Sequence, residues 1–144
     1  MRIRRAIPED EDVIFFLLMG MAAENTKHPV NVQKTIGKIQ EVLSNGYAAM
    51  AEIDGQVVGS LAVLQQEPWW SNARFLGDAW FYVRPEHRVS RAAVMLKKAA
   101  FDFADSVGME LVLAVFSIED AERKSQFLAK GMTFLGGTYV KEIR

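Results

Sequence analysis

The chain has 144 residues, about half of them apolar and about a quarter charged, which is the composition of one globular domain with a sizeable core. Its 17 Lys and Arg nearly balance its 18 Asp and Glu, so the overall charge favours neither nucleic acid nor an anionic membrane as a partner. The absence of cysteine excludes disulfides and thiolate zinc sites and fits a reducing, cytoplasmic location.

The first quarter of the chain reads as a strand followed by a helix. Arg2–Ile7 partly alternates and predicts a short strand. Pro8 and the four acids after it predict the start of a helix that reaches roughly Glu24, because proline fits the first turn and anions complement the helix dipole. Its apolar run, Val13–Ala23, is about half the length of a membrane span and lacks a cationic flank, so a buried core helix is expected. A loop is expected at Asn25–Pro29.

A second helix and a β-hairpin come next. Apolar residues at helical spacing predict a helix over Val32–Leu43. Two β-leaning runs, Tyr47–Ile53 and Gln56–Leu64, are joined by Asp54-Gly55, a dipeptide that strongly favours a hairpin turn. The following segment, Gln65–Asn72, predicts a loop with aromatic content.

The second half of the chain alternates strands and helices. Phe75–Val83 predicts a fourth strand, and an apolar face predicts a helix over Arg91–Val107 that stops at Gly108. Glu110–Phe116 has the continuous apolar character of a strand in a parallel sheet. A short helix over Glu119–Lys130 follows.

Two final strands are expected on either side of Gly136-Gly137. The predicted order is therefore β-α-α-β-β-β-α-β-α-β-β, without repeats or linkers. This order predicts one mixed α/β domain over residues 1–144.

The segment from Trp80 to Ala93 is the most informative part of the sequence. An aromatic strand runs into a proline, then a basic turn, then a long amphipathic helix. Unpaired backbone N–H groups and the helix dipole converge at such a junction, which is therefore suited to bind a phosphate group.

The element order and this junction resemble the GNAT superfamily of acyl-coenzyme-A-dependent N-acetyltransferases over essentially the whole chain. Val83, Pro85 and Arg88 match its Val-x-Pro-x-x-Arg motif, and Ser90–Ala93 follows. A weaker match to its Tyr-x-x-x-Gly-Phe pattern lies at Phe127–Met132. The resemblance implies a central mixed sheet of six or seven strands flanked by about four helices, and acetyl-coenzyme A as cosubstrate without a metal.

The chain departs from the family pattern at two positions. Arg91 replaces the central glycine of the pyrophosphate loop, which an arginine tolerates if φ is negative and its side chain points outward. Phe127 replaces the tyrosine that often protonates the departing thiolate. A thiol with a pKa of roughly 8.5 can leave as thiolate, with Ser125 or a water as a substitute acid.

The resemblance also implies roles for individual residues. The backbone N–H of Val83, freed by a bulge in its strand, would donate to the thioester carbonyl. The N–H groups of residues 89 to 93 would hold the pyrophosphate, and the pantetheine arm would lie between the separated ends of the fourth and fifth strands. The expected coenzyme-binding residues are Phe81, Tyr82, Val83, Arg88, Val89, Ser90, Arg91, Ala92, Ala93, Ser125 and Phe127.

Asp78 is the candidate general base, since it is the acidic residue of the fourth strand and the family often places a carboxylate there. Strict alternation puts it on the same face as Trp80 and Tyr82. Asp78 also fits a solvated aspartate at the strand end. A chain of waters is the alternative base, since family members commonly use one.

The acceptor amine is expected to meet the exposed aromatic side chains of Trp69 and Trp70, the helix end at Glu24 and Asn25, and Trp80 of the fourth strand. The two tryptophans also fit a lid on the sheet or a dimer contact, and Glu24 and Asn25 also fit a solvated helix end. His87 reads as an exposed turn residue.

These observations predict an N-acetyltransferase that acts on a small-molecule or peptide amine. The alternatives are a coenzyme-A-binding module with little turnover and a protein-interaction module that has lost the cofactor. The sequence leaves the acceptor and the oligomeric state open, with a homodimer among the options.

Overall fold

The computed structural model describes residues 1–25, 28–115 and 120–143. The chain divides into two compact units, Met1–Ala114 and Val115–Arg144. The single domain expected over residues 1–144 stays a prediction.

The strands described in the first unit form one mixed sheet in chain order. Neighbouring strands pair antiparallel, except that β4 and β5 are parallel. The strands are β1 Arg2–Arg5, β2 Tyr47–Ile53, β3 Gln56–Gln66, β4 Phe75–Val83 and β5 Glu110–Val112.

Four α-helices are described along the chain, the last of them in the second unit. None of these helices combines the length and apolar character needed to cross a bilayer. The helices are α1 Glu11–Asn25, α2 Val32–Asn45, α3 Ala92–Val107 and α4 Ala121–Ala129.

The predicted mixed α/β architecture is confirmed, and the predictions match best for elements that are bounded by local turn or stop residues. β2 and β4 have the predicted bounds. The turn between β2 and β3 holds Asp54 at φ 52° and Gly55 at φ 78°, as a hairpin turn of the predicted type requires. Gly108 ends α3 at φ 66°, the left-handed conformation that glycine adopts without strain.

The prediction of six or seven strands is wrong for the described residues, which form five. Residues 133–143, where two strands were expected around Gly136-Gly137, have no regular secondary structure and are largely exposed. A local β preference does not make a strand without a neighbour to pair with and an apolar face to bury.

Several element boundaries also differ from the predictions. β5 leaves the ladder after Val112 instead of continuing to Phe116, which lies outside the described residues, as does Glu119 at the predicted start of the last helix. A 3₁₀ turn at Pro8–Asp10 precedes α1. Within the loop predicted at Asn25–Pro29, residues 26 and 27 lie outside the described part.

The sheet of the first unit is covered on both faces. α3 packs its alanines and Leu96 on one face, against side chains such as Leu61 and Val63 of β3. α1 and α2 cover the other face, where Ile14 and Ile39 pack against the remaining sheet side chains. Burial on both faces explains why β2 and β3 are apolar along nearly their whole length.

A charged cluster fixes β1 to the start of α1. Arg4 donates to both carboxylate oxygens of Asp10 at 2.8 Å and to Glu52 of β2 at 2.6 Å. Asp10 also accepts the backbone N–H of Ile7 at 2.8 Å. The bond from Arg4, followed by that from Ile7, lowers the pKa of the Asp10 carboxyl below its ordinary value of 3.8.

Replacing Asp10 by Asn should reduce the free energy of unfolding by about 1.5 to 3 kcal/mol, because Arg4 loses its charge-assisted hydrogen bonds to Asp10 in a partly buried site and keeps only Glu52 as a charged partner. Because the pKa of Asp10 is lowered by folding, its contribution is present above pH 3.8 and is lost as the pH falls toward the lowered value. Urea denaturation across this pH range measures both effects. The exposed Asp12→Asn variant is the control, and equal losses in the two variants would contradict the assignment.

Candidate active site

β4 has different neighbours on its two edges. It pairs antiparallel with β3 from Phe75 to Val83, but in the described chain its parallel pairing with β5 covers only Phe75–Gly77. From Asp78 onward the two parallel strands separate. This opening lies beside the strand residues that the sequence marked as functional.

A bulge occurs in β4 where the strands separate. Trp80 pairs with Ala62 and Asp78 with Val63, so that Ala79 is an extra residue in β4. Ala79 and Trp80 both pack toward the α1 and α2 face. The bulge that was expected in this strand is present four residues before Val83.

The bulge corrects the predicted orientation of Asp78. Alternation across an extra residue changes phase, so Asp78 is in register with Leu76, whose side chain faces α3, and not with Trp80 or Tyr82. The prediction that these three residues share a face was wrong, because it assumed an unbroken strand.

Asp78 is partly buried rather than a solvated strand end. Its Oδ1 accepts the backbone N–H of Ala114 at 3.3 Å. Burial raises the pKa of the Asp78 carboxyl, and the bond from Ala114 opposes that shift. The carboxyl therefore stays protonated to a higher pH than an ordinary aspartate and, once ionised, is a stronger base.

The backbone of Val83 faces the open edge of β4. Arg84 donates its N–H to Val58 of β3 at 2.8 Å. Since successive N–H groups of a strand point to opposite edges, the N–H of Val83 points away from β3, toward the side where β5 has left the ladder. The carbonyl of Val83 accepts a bond from Nε of Arg88 at 3.0 Å.

The junction after β4 is a 3₁₀ turn followed by the first turn of α3. Ser90 donates its hydroxyl to the carbonyl of His87 at 2.6 Å and accepts the N–H of Ala92 at 3.2 Å. It therefore bonds to the first turn, although Arg91 occupies the N-cap position expected for Ser90. Arg91 is exposed and has φ −84°, the negative value that its tolerance required.

Backbone donors are available at this helix start. Ser90 donates its N–H to His87 and Ala92 to the Ser90 hydroxyl, so two of the five N–H groups expected to hold a pyrophosphate already have partners. No described residue accepts from the N–H of Val89, Arg91 or Ala93. These three donors and the α3 dipole suit a bound anion.

Glu24, Tyr82 and Arg88 form a cluster that joins α1 to the junction. Arg88 donates to the Glu24 carboxylate at 2.8 Å and lies 5.4 Å from the centre of the Tyr82 ring. Burial, with the hydrogen bond and charge of Glu24 second, raises the pKa of Tyr82 to about 12. A methyl group on Gly20 would lie 2.9 Å from the Tyr82 hydroxyl, so glycine lets α1 approach closely.

This cluster gives Glu24 a partner that sequence reasoning did not predict. Glu24 was expected at the acceptor, yet it binds Arg88 of the turn after β4. Asn25, its predicted companion, donates its side-chain amide back to the carbonyl of Met21 at 3.0 Å.

A cavity of about 640 Å³ lies between α1, α2 and β4. Ala79 and Trp80 line it from the bulge of β4. The Trp80 side chain is buried, with 3% of its surface exposed, and its indole N–H donates to the Ser60 hydroxyl at 2.9 Å. Lys34 and Lys38 line it from α2. Residues four apart on a helix lie on the same face, so the sequence could have predicted that Lys34 and Lys38 lie side by side. Neither lysine was selected from the sequence.

Trp69 and Trp70 lie in the loop between β3 and β4. They are 92% and 71% exposed and meet edge to face with ring centres 5.4 Å apart. A second cavity of about 440 Å³ is lined by their own loop, Glu67–Asn72. Neither tryptophan covers the sheet within the described structure, so the lid interpretation is wrong, and their role toward an acceptor stays a prediction.

Ser125 and Phe127 both lie on α4 in the second unit. Both are partly buried. Their assignment to the coenzyme stays a prediction.

The sequence profile of the acetyltransferase (GNAT) family matches residues 18–134, and the chain therefore belongs to that family. No protein of curated function matches the sequence. The family assignment confirms the resemblance drawn from the Val83–Arg88 motif.

Solved structures share the fold at low sequence identity. A possible acetyltransferase from Clostridium difficile 630 is 19% identical, with a TM-score of 0.75 over 99% of this chain and 97% of that one. The ribosomal-protein-alanine N-acetyltransferase from Brucella melitensis biovar Abortus 2308 is 20% identical, with a TM-score of 0.72 over 99% and 100%. AAC(6')-Iy, in complex with the bisubstrate analogue CoA-S-monomethyl-acetylneamine, is 17% identical, with a TM-score of 0.74 over 99% and 97%.

A double-mutant cycle on Glu24→Gln and Arg88→Gln should give a coupling free energy of about 0.5 to 1 kcal/mol, the upper part of the range for ion pairs near the surface. Urea denaturation of the four proteins measures it. The more exposed pair Lys98–Asp102 on α3 is the control and should couple more weakly. Additive effects of Glu24 and Arg88 would contradict the cluster.

Proposed function

We propose that the chain is an N-acetyltransferase that transfers the acetyl group of acetyl-coenzyme A to a primary amine of a small molecule or peptide. The observation that carries this proposal is the open edge of β4. It places the N–H of Val83 beside the region that β5 leaves, one short turn before a helix start whose backbone donors at Val89, Arg91 and Ala93 have no partner within the described chain. One strand thus leads from a carbonyl-binding donor to a phosphate-binding turn.

The residues present fit coenzyme A. The N–H groups of Val89, Arg91 and Ala93 have no partner among the described residues and would hold the pyrophosphate. The exposed guanidinium of Arg91 adds a charge-assisted donor where the family has a glycine. Phe81, Tyr82 and Val83 would bind the pantetheine arm along the open edge, with Ser125 and Phe127 as further proposed contacts.

The chemistry needs a polarised carbonyl, a neutral amine and a fixed approach between them. Bound acetyl-coenzyme A supplies an acetyl group on a thioester, whose thiol is an adequate leaving group near neutral pH. The Val83 N–H would donate to the thioester carbonyl oxygen. Asp78, whose side chain lies on the α3 side of the strand and not in the cavity, would accept the amine proton through water.

The bulge turns Ala79 and Trp80 toward the α1 and α2 face of β4. Ala79 and Trp80 line the cavity between α1 and α2, while the N–H of Val83 points along the sheet to the open edge. We therefore propose this cavity, with Trp80 in its wall, as the acceptor site. One structural relative is an aminoglycoside acetyltransferase in complex with sisomicin, which makes aminoglycosides one class to test.

A coenzyme-binding module with little turnover is the second candidate. It is favoured by the bond that Asp78 already makes to Ala114 and by Phe127, which has no proton to donate. A cytoplasmic location and a homodimer remain part of the proposal, the former because the chain has no cysteine.

Acetyl-coenzyme A should bind and raise the melting temperature, and Arg91→Glu should weaken binding about tenfold or more by placing an anion beside the phosphates. Arg91→Gln keeps the backbone N–H donor without adding a negative charge, so its affinity for acetyl-coenzyme A should fall less. Titration calorimetry measures all three proteins. No heat and no thermal shift at millimolar ligand would exclude both coenzyme proposals, and unchanged affinity in Arg91→Glu would show that the phosphate turn is misplaced.

Asp78→Asn should lower kcat by about 10²- to 10⁴-fold if Asp78 is the base. The base acts ionised and its pKa is raised, so the rate should rise with pH through a value above 3.8, and the variant should lack this limb. Thiol release at varied pH measures it. Asn retains an oxygen for the Ala114 N–H, so the fold should persist. A variant with the wild-type rate and profile would assign the proton to water instead.

A further inference from the structure

The cavity between α1, α2 and β4 has an apolar part and a cationic part. Leu18, Met21 and Trp80 supply apolar surface, and the indole N–H of Trp80 is already used by Ser60. Ala79 brings the bulge of β4 to this cavity, whereas Asp78 faces the opposite side of the sheet. An apolar segment of a ligand is therefore favoured beside the strand.

The cationic part comes from α2. Lys34 and Lys38 are one turn apart and both line the cavity, together with Glu41. Glu41 bonds Lys38 at 3.2 Å, whereas the ammonium of Lys34 has no ion-pair partner among the described residues. The lining thus carries an excess positive charge, centred on Lys34.

We infer that the acceptor is an amine with an apolar body and a carboxylate at the end remote from the reacting nitrogen. The carboxylate pairs with Lys34, the apolar body lies on Met21 and Trp80, and the amine lies on the β4 side of the cavity. A polycationic acceptor would place a second ammonium against Lys34, where the two charges repel. This inference rests on the proposed acetyl transfer and specifies its substrate class.

Three probes of equal carbon number test the class, namely ε-aminohexanoate, n-hexylamine and hexamethylenediamine. They share one primary amine and differ in the remote group, which is anionic, neutral or cationic. We expect affinity to fall in that order, with the amino acid at least about fivefold tighter than the diamine. Calorimetric titration into the 144-residue chain saturated with coenzyme A measures binding without turnover.

Lys34→Gln should remove most of this preference while leaving the affinity for n-hexylamine unchanged. Gln33→Glu is the matched control, because it changes the charge by the same amount on the adjacent residue, which does not line the cavity. This control should keep the wild-type order. Thermal unfolding of both variants checks that the fold is retained.

The outcomes separate this inference from the proposed function. If the diamine binds as tightly as the amino acid, if Lys34→Gln changes nothing, or if no probe binds, the substrate class is wrong, whatever acetyl transfer other amines support. If the amino acid binds with the expected preference but no thiol is released from acetyl-coenzyme A, the class of ligand stands and acetyl transfer is excluded for it.

Discussion

The geometry of this protein depends on the unequal pairing of β4. Its edge toward β3 is bonded along the whole strand, whereas its edge toward β5 is bonded for three residues. On the β5 side, backbone groups of β4 beyond Gly77 have no strand partner among the described residues, while β3 pairs with the strand along its whole length. Backbone groups that are positioned by one neighbour but not used by another are available to bind a ligand. The bulge at Ala79 adds to the separation, because an extra residue bends and twists its strand.

Contacts with the end of α1 hold the turn that follows β4. Arg88 binds the carbonyl of Val83 and the carboxylate of Glu24, and Tyr82 packs between Gly20 and this pair. The end of α1 is thereby tied to the turn proposed to hold the coenzyme. An anion bound beside Arg88 would share its guanidinium with Glu24, and the occupancy of the turn would then be coupled to the placement of the α1 end.

Features encoded by neighbouring residues could be predicted from the sequence. The Asp54-Gly55 turn, the Gly108 stop and the Val83–Arg88 motif depend on local backbone preferences, and each lies where it was expected. Features set by pairing between distant segments could not be placed in this way. The face of Asp78 depends on a register shift against β3, and the end of β5 depends on where β4 turns away. Glu24 and Arg88, 64 positions apart, meet for the same reason.

The near balance of charge in the whole chain says little about the sites, because the charges are distributed unevenly. The carboxylates of Asp10, Glu24 and Glu52 form ion pairs with arginines of the fold and are therefore not available to bind a cationic ligand. The cavity beside the bulge is lined by Lys34, whose ammonium has no ion-pair partner in the described part of the chain. In the proposed reaction the backbone N–H of Val83 would act on the thioester, whereas side chains of α1 and α2 would select the amine. These two helices supply most of the wall of the cavity proposed as the acceptor site, and β4 supplies the edge proposed to bind the coenzyme.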